Sequence, residues 1–146
     1  MSTSVPSSSN RVRAQSTANL QAQGLLLQTK DQAIAAVFQR AEEALDDVIR
    51  DRARYDRILE RLIIEGLGGF TGGHVVVEAH PDDAAAVRAA LARQRADAEV
   101  RAVDGIRGGV RLLSADGRYI VVNTLASRLE RARPALAPEM ARILWG

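Results

Sequence analysis

The residues best suited to chemistry form one short run, His80-Pro81-Asp82-Asp83, which follows the apolar stretch HVVVEA at residues 74–79. An imidazole and a carboxylate are ligands that Zn²⁺ accepts, and a second carboxylate can deprotonate a zinc-bound water. The apolar stretch indicates a buried strand, so the run would stand at the end of that strand. These residue types in this order raise the question of a hydrolytic zinc site.

A strand followed by His-Pro-Asp-Asp resembles the zinc motif of the PIG-L/LmbE-type deacetylases. In that family a His and one Asp bind zinc, while the other Asp is the general base. The motif normally continues with Glu, whereas Ala84 follows here. A catalytic zinc needs three protein ligands, and this sequence has no His after His80 and no Cys. The larger α/β domain of that family would also not fit into 146 residues.

The other interpretation of the same run is structural. Pro81 suits the first position of a helix, and Asp82 and Asp83 in the first turn favour the helix dipole. No Ser-His-Asp arrangement is supported either, because neither His stands beside a nucleophile in a recognisable motif. We therefore predict no catalytic residues, no metal site and no cofactor, and keep the zinc deacetylase as an alternative.

Composition and charge indicate the class of protein. Hydrophobic residues make up 47% and aromatic residues only 3% of the chain, so its core must consist mainly of Leu, Val, Ile and Ala. The net charge is +2, and Arg alternates with Asp and Glu, as in IRDRARYDRILER, which is typical of a solvated face. No apolar run approaches the roughly 20 residues of a membrane helix. We predict a cytoplasmic protein that binds no nucleic acid and does not insert into a membrane.

In the N-terminal third, the low apolar content of residues 1–15 predicts a disordered tail, and the helix-forming residues from about Thr17 to Arg50 predict one long helix. Its apolar residues recur every eleven positions, which favours a right-handed supercoil. A heptad row fits in part, but its second row contains Gly24, Asp31 and Arg52. The predicted row for binding a partner helix consists of Leu26, Leu27, Ile34, Val37, Phe38, Ala41, Leu45, Val48 and Ile49.

The length of this helix indicates a partner chain. About 35 helical residues span roughly 50 Å, which is more than one small domain can cover. The alternative is that the row packs on the chain's own domain.

The remaining sequence predicts an α+β fold. In order, the predicted elements are helix 53–67, strand 74–79, helix 81–95, strand 99–104, strands 110–113 and 118–122, and a final helix from 125. The residues expected to face the core are Tyr55, Ile58, Leu59, Leu62 and Ile63 in the first of these helices, and Ala84, Val87, Ala90 and Leu91 in the second. Asp116-Gly117 predicts a tight hairpin turn, and Asn123 or Thr124 is expected to cap the last helix. Pro138 is expected to kink or restart that helix. The long N-terminal helix thus leads into a mixed four-stranded sheet packed with helices, in the order α-α-β-α-β-β-β-α.

These segments together resemble the C-terminal part of the E subunit of the V-type and A-type (V/A) ATPases, over about residues 25–146. The motifs that carry the resemblance are Tyr55-x-x-x-Leu59, Gly108-Gly109 before a strand, Asp116-Gly117 in a hairpin, Asn123-Thr124, Arg128-Leu129 and the final Leu144-Trp145-Gly146.

The resemblance implies a mechanical role without chemistry. The E subunit pairs with the G subunit, also named H, in a right-handed coiled coil and forms the peripheral stalk of a proton- or sodium-translocating ATPase. Its globular part contacts the B and A subunits of the catalytic head, peripheral to the membrane, and resists the torque of the rotor. On this basis residues 16–51 would be the stalk helix and residues 52–146 the head-binding domain.

The N-terminus departs from the pattern of this family. The family usually has a longer N-terminal helix, where this chain has MSTSVPSSSNRVR, so we expect that this chain could not bridge head and membrane alone. The same apolar row would also serve a free-standing homodimeric coiled-coil adaptor with an α/β head, which remains an alternative.

Overall fold

Two helices, a four-stranded sheet with one intervening helix, and a last helix follow one another along the chain. The computed structural model describes residues 8–146. The helices are α1 Ser8–Arg50, α2 Arg52–Leu67, α3 Ala84–Arg93 and α4 Leu125–Trp145, and the strands are β1 Val75–Ala79, β2 Ala98–Ala102, β3 Gly109–Ser114 and β4 Ile120–Thr124. This order confirms the predicted α+β class.

The sheet has the strand order β2-β1-β3-β4 and is mixed. β1 pairs with β2 in parallel, as α3 lies between them in the chain, while β3 is antiparallel to both β1 and β4. All five residues of β1 are buried, which explains why this strand reads as a continuous apolar run.

The core lies between one face of the sheet and helices α2 and α3. Side chains alternate along a strand, so Val75, Val77 and Ala79 share the face that packs on the helices. The helical residues of this core recur three or four positions apart, as the sequence predicted. They are Tyr55, Leu59 and Ile63 of α2, and Val87, Ala90 and Leu91 of α3.

Helix α1 begins earlier than expected. Residues 8–15, part of the tail that we expected to be disordered, are helical, and residues 1–7 lie outside the described residues. Extending an existing helix costs far less than nucleating one, and no Pro or Gly interrupts the chain between Ser8 and Gln23. The helix therefore continues through this polar segment, although its side chains are exposed.

The hairpin and the last helix follow the prediction with one exception. Gly117 has φ 72 in the turn, and Thr124 caps α4 in a capping box with Ser127. The expected restart at Pro138 is wrong, because α4 runs on to Trp145 through both Pro134 and Pro138. The two prolines stand four residues apart on the exposed side, where unpaired carbonyls can reach water.

Gly109 permits a close approach between β3 and β4. Its φ is +150, and a Cβ atom added there would lie 2.5 Å from Thr124 Cα and would also overlap Asn123 O. The second glycine of the Gly-Gly pair noted in the sequence is therefore required where β4 continues into α4.

We predict that Gly109→Ala lowers the free energy of unfolding by roughly 2–4 kcal/mol, because the new Cβ meets backbone atoms and the φ is strained. Chemical denaturation measures this change. Gly105→Ala is the matched control, since a Cβ at Gly105 meets nothing within 4 Å and should change stability by less than about 0.5 kcal/mol. Equal effects of the two substitutions would contradict the conclusion that Gly109 is required by the close approach of β3 and β4.

Candidate functional site

The predicted partner-binding row on α1 is divided into an exposed part and a part that the chain covers itself. Leu26 and Leu27 are exposed, with 61% of Leu27 accessible, and Val37 is also exposed. Phe38 is buried, with 3% accessible. The other five positions are partly buried: Ile34, Ala41, Leu45, Val48 and Ile49.

Helix α4 covers the middle of the row. The Arg133 guanidinium lies 4.9 Å from the centre of the Phe38 ring, and Lys30 Nζ lies 5.4 Å from the centre of the Trp145 ring. As residue numbers rise along α1 they fall along α4, so the two helices are antiparallel. A cation over an aromatic face contributes about 0.5–2 kcal/mol, and here one such pair stands at the end of α4 and the other near its middle.

The last turn of α1 packs on the domain. Ile49 contacts the core, and a Cβ added to Gly108 would lie 2.8 Å from its Cδ1. Arg107 pairs with Asp46 at 3.4 Å. The same loop that carries the Gly-Gly pair therefore fixes the C-terminal end of α1, so the alternative interpretation of the row holds for this end.

Beyond the end of α4 the row lies open. Trp145 is the last residue of α4 and faces Lys30, so Leu26 and Leu27 stand about one turn further along α1. Trp145 itself is 40% exposed at this end of the contact. We name these three residues, Leu26, Leu27 and Trp145, the distal apolar patch.

A buried carboxylate ties the junction of α1 and α2 to the sheet. Asp83 is buried and accepts a hydrogen bond from the Tyr55 hydroxyl at 2.9 Å and from Arg52 at 2.8 Å. Asp51 separates the two helices and accepts from the Arg54 N–H as the cap of α2. Burial, and then the hydrogen bond to the Asp83 carboxylate, raise the pKa of Tyr55 well above its ordinary value, so its hydroxyl stays a donor.

The His-Pro-Asp-Asp run thus has a structural role in this network rather than the geometry of a metal centre. The His80 ring accepts the Asp82 N–H at 3.1 Å and caps the short 3₁₀ turn, while Asp83 points into the protein toward α2. Within residues 8–146, no three His, Cys, Asp or Glu side chains are grouped so that they could hold a metal ion. We find no observation that favours the zinc deacetylase.

The second histidine also makes ion pairs with neighbouring carboxylates. His74 Nδ1 lies 2.9 Å from Asp97 Oδ1, and its Nε2 lies 3.6 Å from Glu99 Oε1. The hydrogen bond to Asp97 is the main cause that raises the pKa of His74. Because the pKa is raised in the folded state, this contribution to stability is present at low pH and is lost as pH rises through the raised value.

Sequence reasoning missed the side chains that join the elements. It placed Tyr55 in a core row by spacing but gave no reason for its hydroxyl, and it placed Asp83 only in the field of a helix dipole. It also left the capping choice open: Thr124 is the cap, whereas buried Asn123 donates to Leu62 O of α2 at 2.8 Å. A buried acidic residue after an apolar strand, with a Tyr on an apolar helix row, was the available signal.

We predict that Tyr55→Phe lowers the free energy of unfolding by about 1.5–3 kcal/mol, because it removes a hydrogen bond to a buried carboxylate. Urea denaturation measures the loss. Tyr119→Phe is the matched control, since Tyr119 is exposed and should change stability by less than about 0.5 kcal/mol. A loss for Tyr55→Phe no larger than that of the control would show that the hydroxyl does not hold the junction.

Comparison with known proteins agrees with this architecture. The family model described as "ATP synthase (E/31 kDa) subunit" matches residues 7–145. The chain is 34% identical over 133 residues to the E subunit of the V-type ATP synthase of Deinococcus radiodurans, covering 91% of this chain and 69% of the relative. It is 33% identical over 134 residues to the E subunit of the V-type ATP synthase of Thermus thermophilus, covering 92% and 69%.

A mammalian relative is also similar, though over a smaller share of its length. The E 2 subunit of the V-type proton ATPase of Bos taurus is 29% identical over 145 residues, covering 90% of this chain and 64% of the relative. None of the helices in the described part of the chain combines the length and apolarity needed to cross a bilayer. The family match over nearly the whole chain and the relatives from bacteria and a mammal show that this chain belongs to the family of V-type ATPase E subunits.

Proposed function

We propose that this chain is a non-catalytic peripheral-stalk, or stator, subunit of a proton- or sodium-translocating V/A-type ATPase, located on the cytoplasmic side and peripheral to the membrane. The observation that carries the proposal is the construction of α1. One end is fixed to a folded domain by α4, Ile49 and the Asp83 network, while the other end presents exposed leucines. A subunit that transmits force through a long helix needs a firm attachment of that helix to a folded domain and an exposed surface that binds the next subunit.

The partner at the distal apolar patch is proposed to be the helical G subunit of the stalk, named H in some systems. Leu26 and Leu27 continue the row that α4 covers further down, so a second helix can take the place of α4 beyond Trp145. The eleven-residue spacing of the row favours a right-handed pair. Val37, exposed beside buried Phe38, would extend the contact along the flank of α4.

The domain at residues 52–146 is proposed to bind the B and A subunits of the catalytic head, with residues 16–51 as the stalk helix. Helix α1 cannot turn independently of this domain without uncovering Phe38 or removing Ile49 from its contact with the core. Torque on the head would therefore load α1 along its length. This role uses rigidity and needs no catalytic residue, metal or cofactor of the chain's own.

We predict that Leu27→Asp weakens binding to the helical stalk subunit of the same organism at least about tenfold, because a buried Leu contributes about 1.5–3 kcal/mol. Isothermal calorimetry on the full chain measures the affinity. Leu25→Asp is the matched control: it has the same residue type and change and is 66% exposed, but it stands roughly 160° around the helix from the row.

The outcome separates the stator from the homodimeric adaptor. In the stator, Leu25→Asp retains affinity within about threefold, and neither substitution changes the melting temperature of the isolated chain, since both leucines are exposed. A tight homodimer that ignores the helical stalk subunit and dissociates only in Leu27→Asp, as measured by light scattering, would support the adaptor and contradict the stator.

A further inference from the structure

Strand β4 is an open edge of the sheet. It pairs with β3 on one side, and no other strand of residues 8–146 lies on its other side. Its residues Ile120 and Val122 are 51% and 45% exposed. They lie on the sheet face opposite the core, because the alternate residue Val121 packs on the core.

The hydrogen-bonding pattern shows which main-chain groups of β4 point outward. Ser114 N–H donates to Tyr119 O, and Leu125 N–H donates to Gly108 O, so bonded pairs recur every two residues between these positions. Val121 and Asn123 therefore face β3, while Ile120, Val122 and Thr124 direct their N–H and C=O groups away from it.

Only part of this outward edge is used within the domain. The Thr124 N–H donates to Ser127 Oγ at 3.0 Å, and Ser127 Oγ donates to Thr124 O at 2.9 Å and approaches Val122 O at 3.5 Å. The Val122 N–H and both main-chain groups of Ile120 remain directed outward. Two residues of extended backbone are thus available to another strand.

The composition of β4 does not protect this edge. Soluble proteins usually guard an open edge with charges, prolines or bulges. The opposite edge strand, β2, carries Glu99 and Arg101. β4 has the sequence IVVNT, with no charge and no proline, and its register with β3 runs without a bulge.

The charges around β4 favour an acidic partner. Arg118 precedes the strand, and its guanidinium makes no ion pair with any residue of 8–146. Arg131 follows it and, among the described residues, donates only to the neutral oxygens of Asn123 and Ser127. Antiparallel pairing of two copies through β4 would bring Arg118 of each copy toward Arg131 of the other, so a second copy is disfavoured.

We infer that an extended, acidic segment of another protein of the assembled ATPase adds to the sheet beside β4. Main-chain bonds to Ile120 and Val122 would supply affinity, and alternate apolar side chains of the segment would lie beside theirs on the open face. Carboxylates of the segment would meet Arg118 and Arg131. This inference rests on the proposed role in binding the head and assigns that role to one edge.

Amide hydrogen exchange tests the inference without any substitution. The full chain, bound to its helical stalk subunit, is compared with and without the catalytic head of the same ATPase, prepared free of this chain. We expect the amides of Ile120 and Val122 to exchange at least about tenfold more slowly in the complex. Binding of the head with no slowing at these two amides overturns the inference but leaves the stator proposal standing.

A pair of substitutions tests the same edge by affinity. Val122→Glu places a negative charge on β4 that repels an acidic segment and should weaken head binding about tenfold, whereas Ala102→Glu adds the same charge to exposed Ala102 of β2 and should change it less than about threefold. Thermal melts check that both variants fold, and the exchange measurement decides alone if Val122→Glu does not. Equal affinities of the two folded variants overturn the inference.

Two other outcomes of these experiments would separate the inference from the stator proposal and from pairing of two copies. Failure of the wild-type chain to bind the head contradicts the stator proposal itself. Protection of Ile120 and Val122 in the chain alone, increasing with its concentration, would identify a second copy as the occupant and overturn the acidic segment.

Discussion

The buried carboxylate of Asp83 constrains the rest of the molecule. A buried charge is stable only when it is fully hydrogen-bonded, and its two donors, Tyr55 and Arg52, both lie in the first turn of α2. Their bonds fix the start of α2 to the turn that follows β1, and α1 ends one residue before this, at Arg50. The end of the long helix is therefore held by a group in the turn between β1 and α3.

The second constraint is the brace formed by α4. Thr124 begins this helix directly at the end of β4, where Gly109 allows the two strands to approach, and Arg133 and Trp145 then meet α1 along its length. Because α4 ends at Trp145, the apolar row on α1 is divided between an internal contact and an external surface. The contacts at the junction of α1 and α2 and the packing of α4 on α1 together join the long helix firmly to the domain.

The sequence was sufficient for features that depend on local pattern. The order of the elements, the turn at Gly117 and the core row of Tyr55, Leu59 and Ile63 followed from spacing and turn chemistry. It was insufficient where distant parts compete for one surface: Phe38 fits a partner-binding row and a contact with α4 equally well, and only the fold shows that α4 covers it. The continuity of α4 through Pro138 depended likewise on which side faces water.

The central claim is that α1 presents one defined side to a partner helix beyond the end of α4. Because the chain has no Cys, single cysteines placed along residues 20–45 can be cross-linked to a cysteine on the helical stalk subunit. The account predicts yield maxima at positions 26, 27 and 37, with minima at 25 and at 38, where α4 covers the helix. Uniform yields, or maxima at positions 25 and 38, would contradict it.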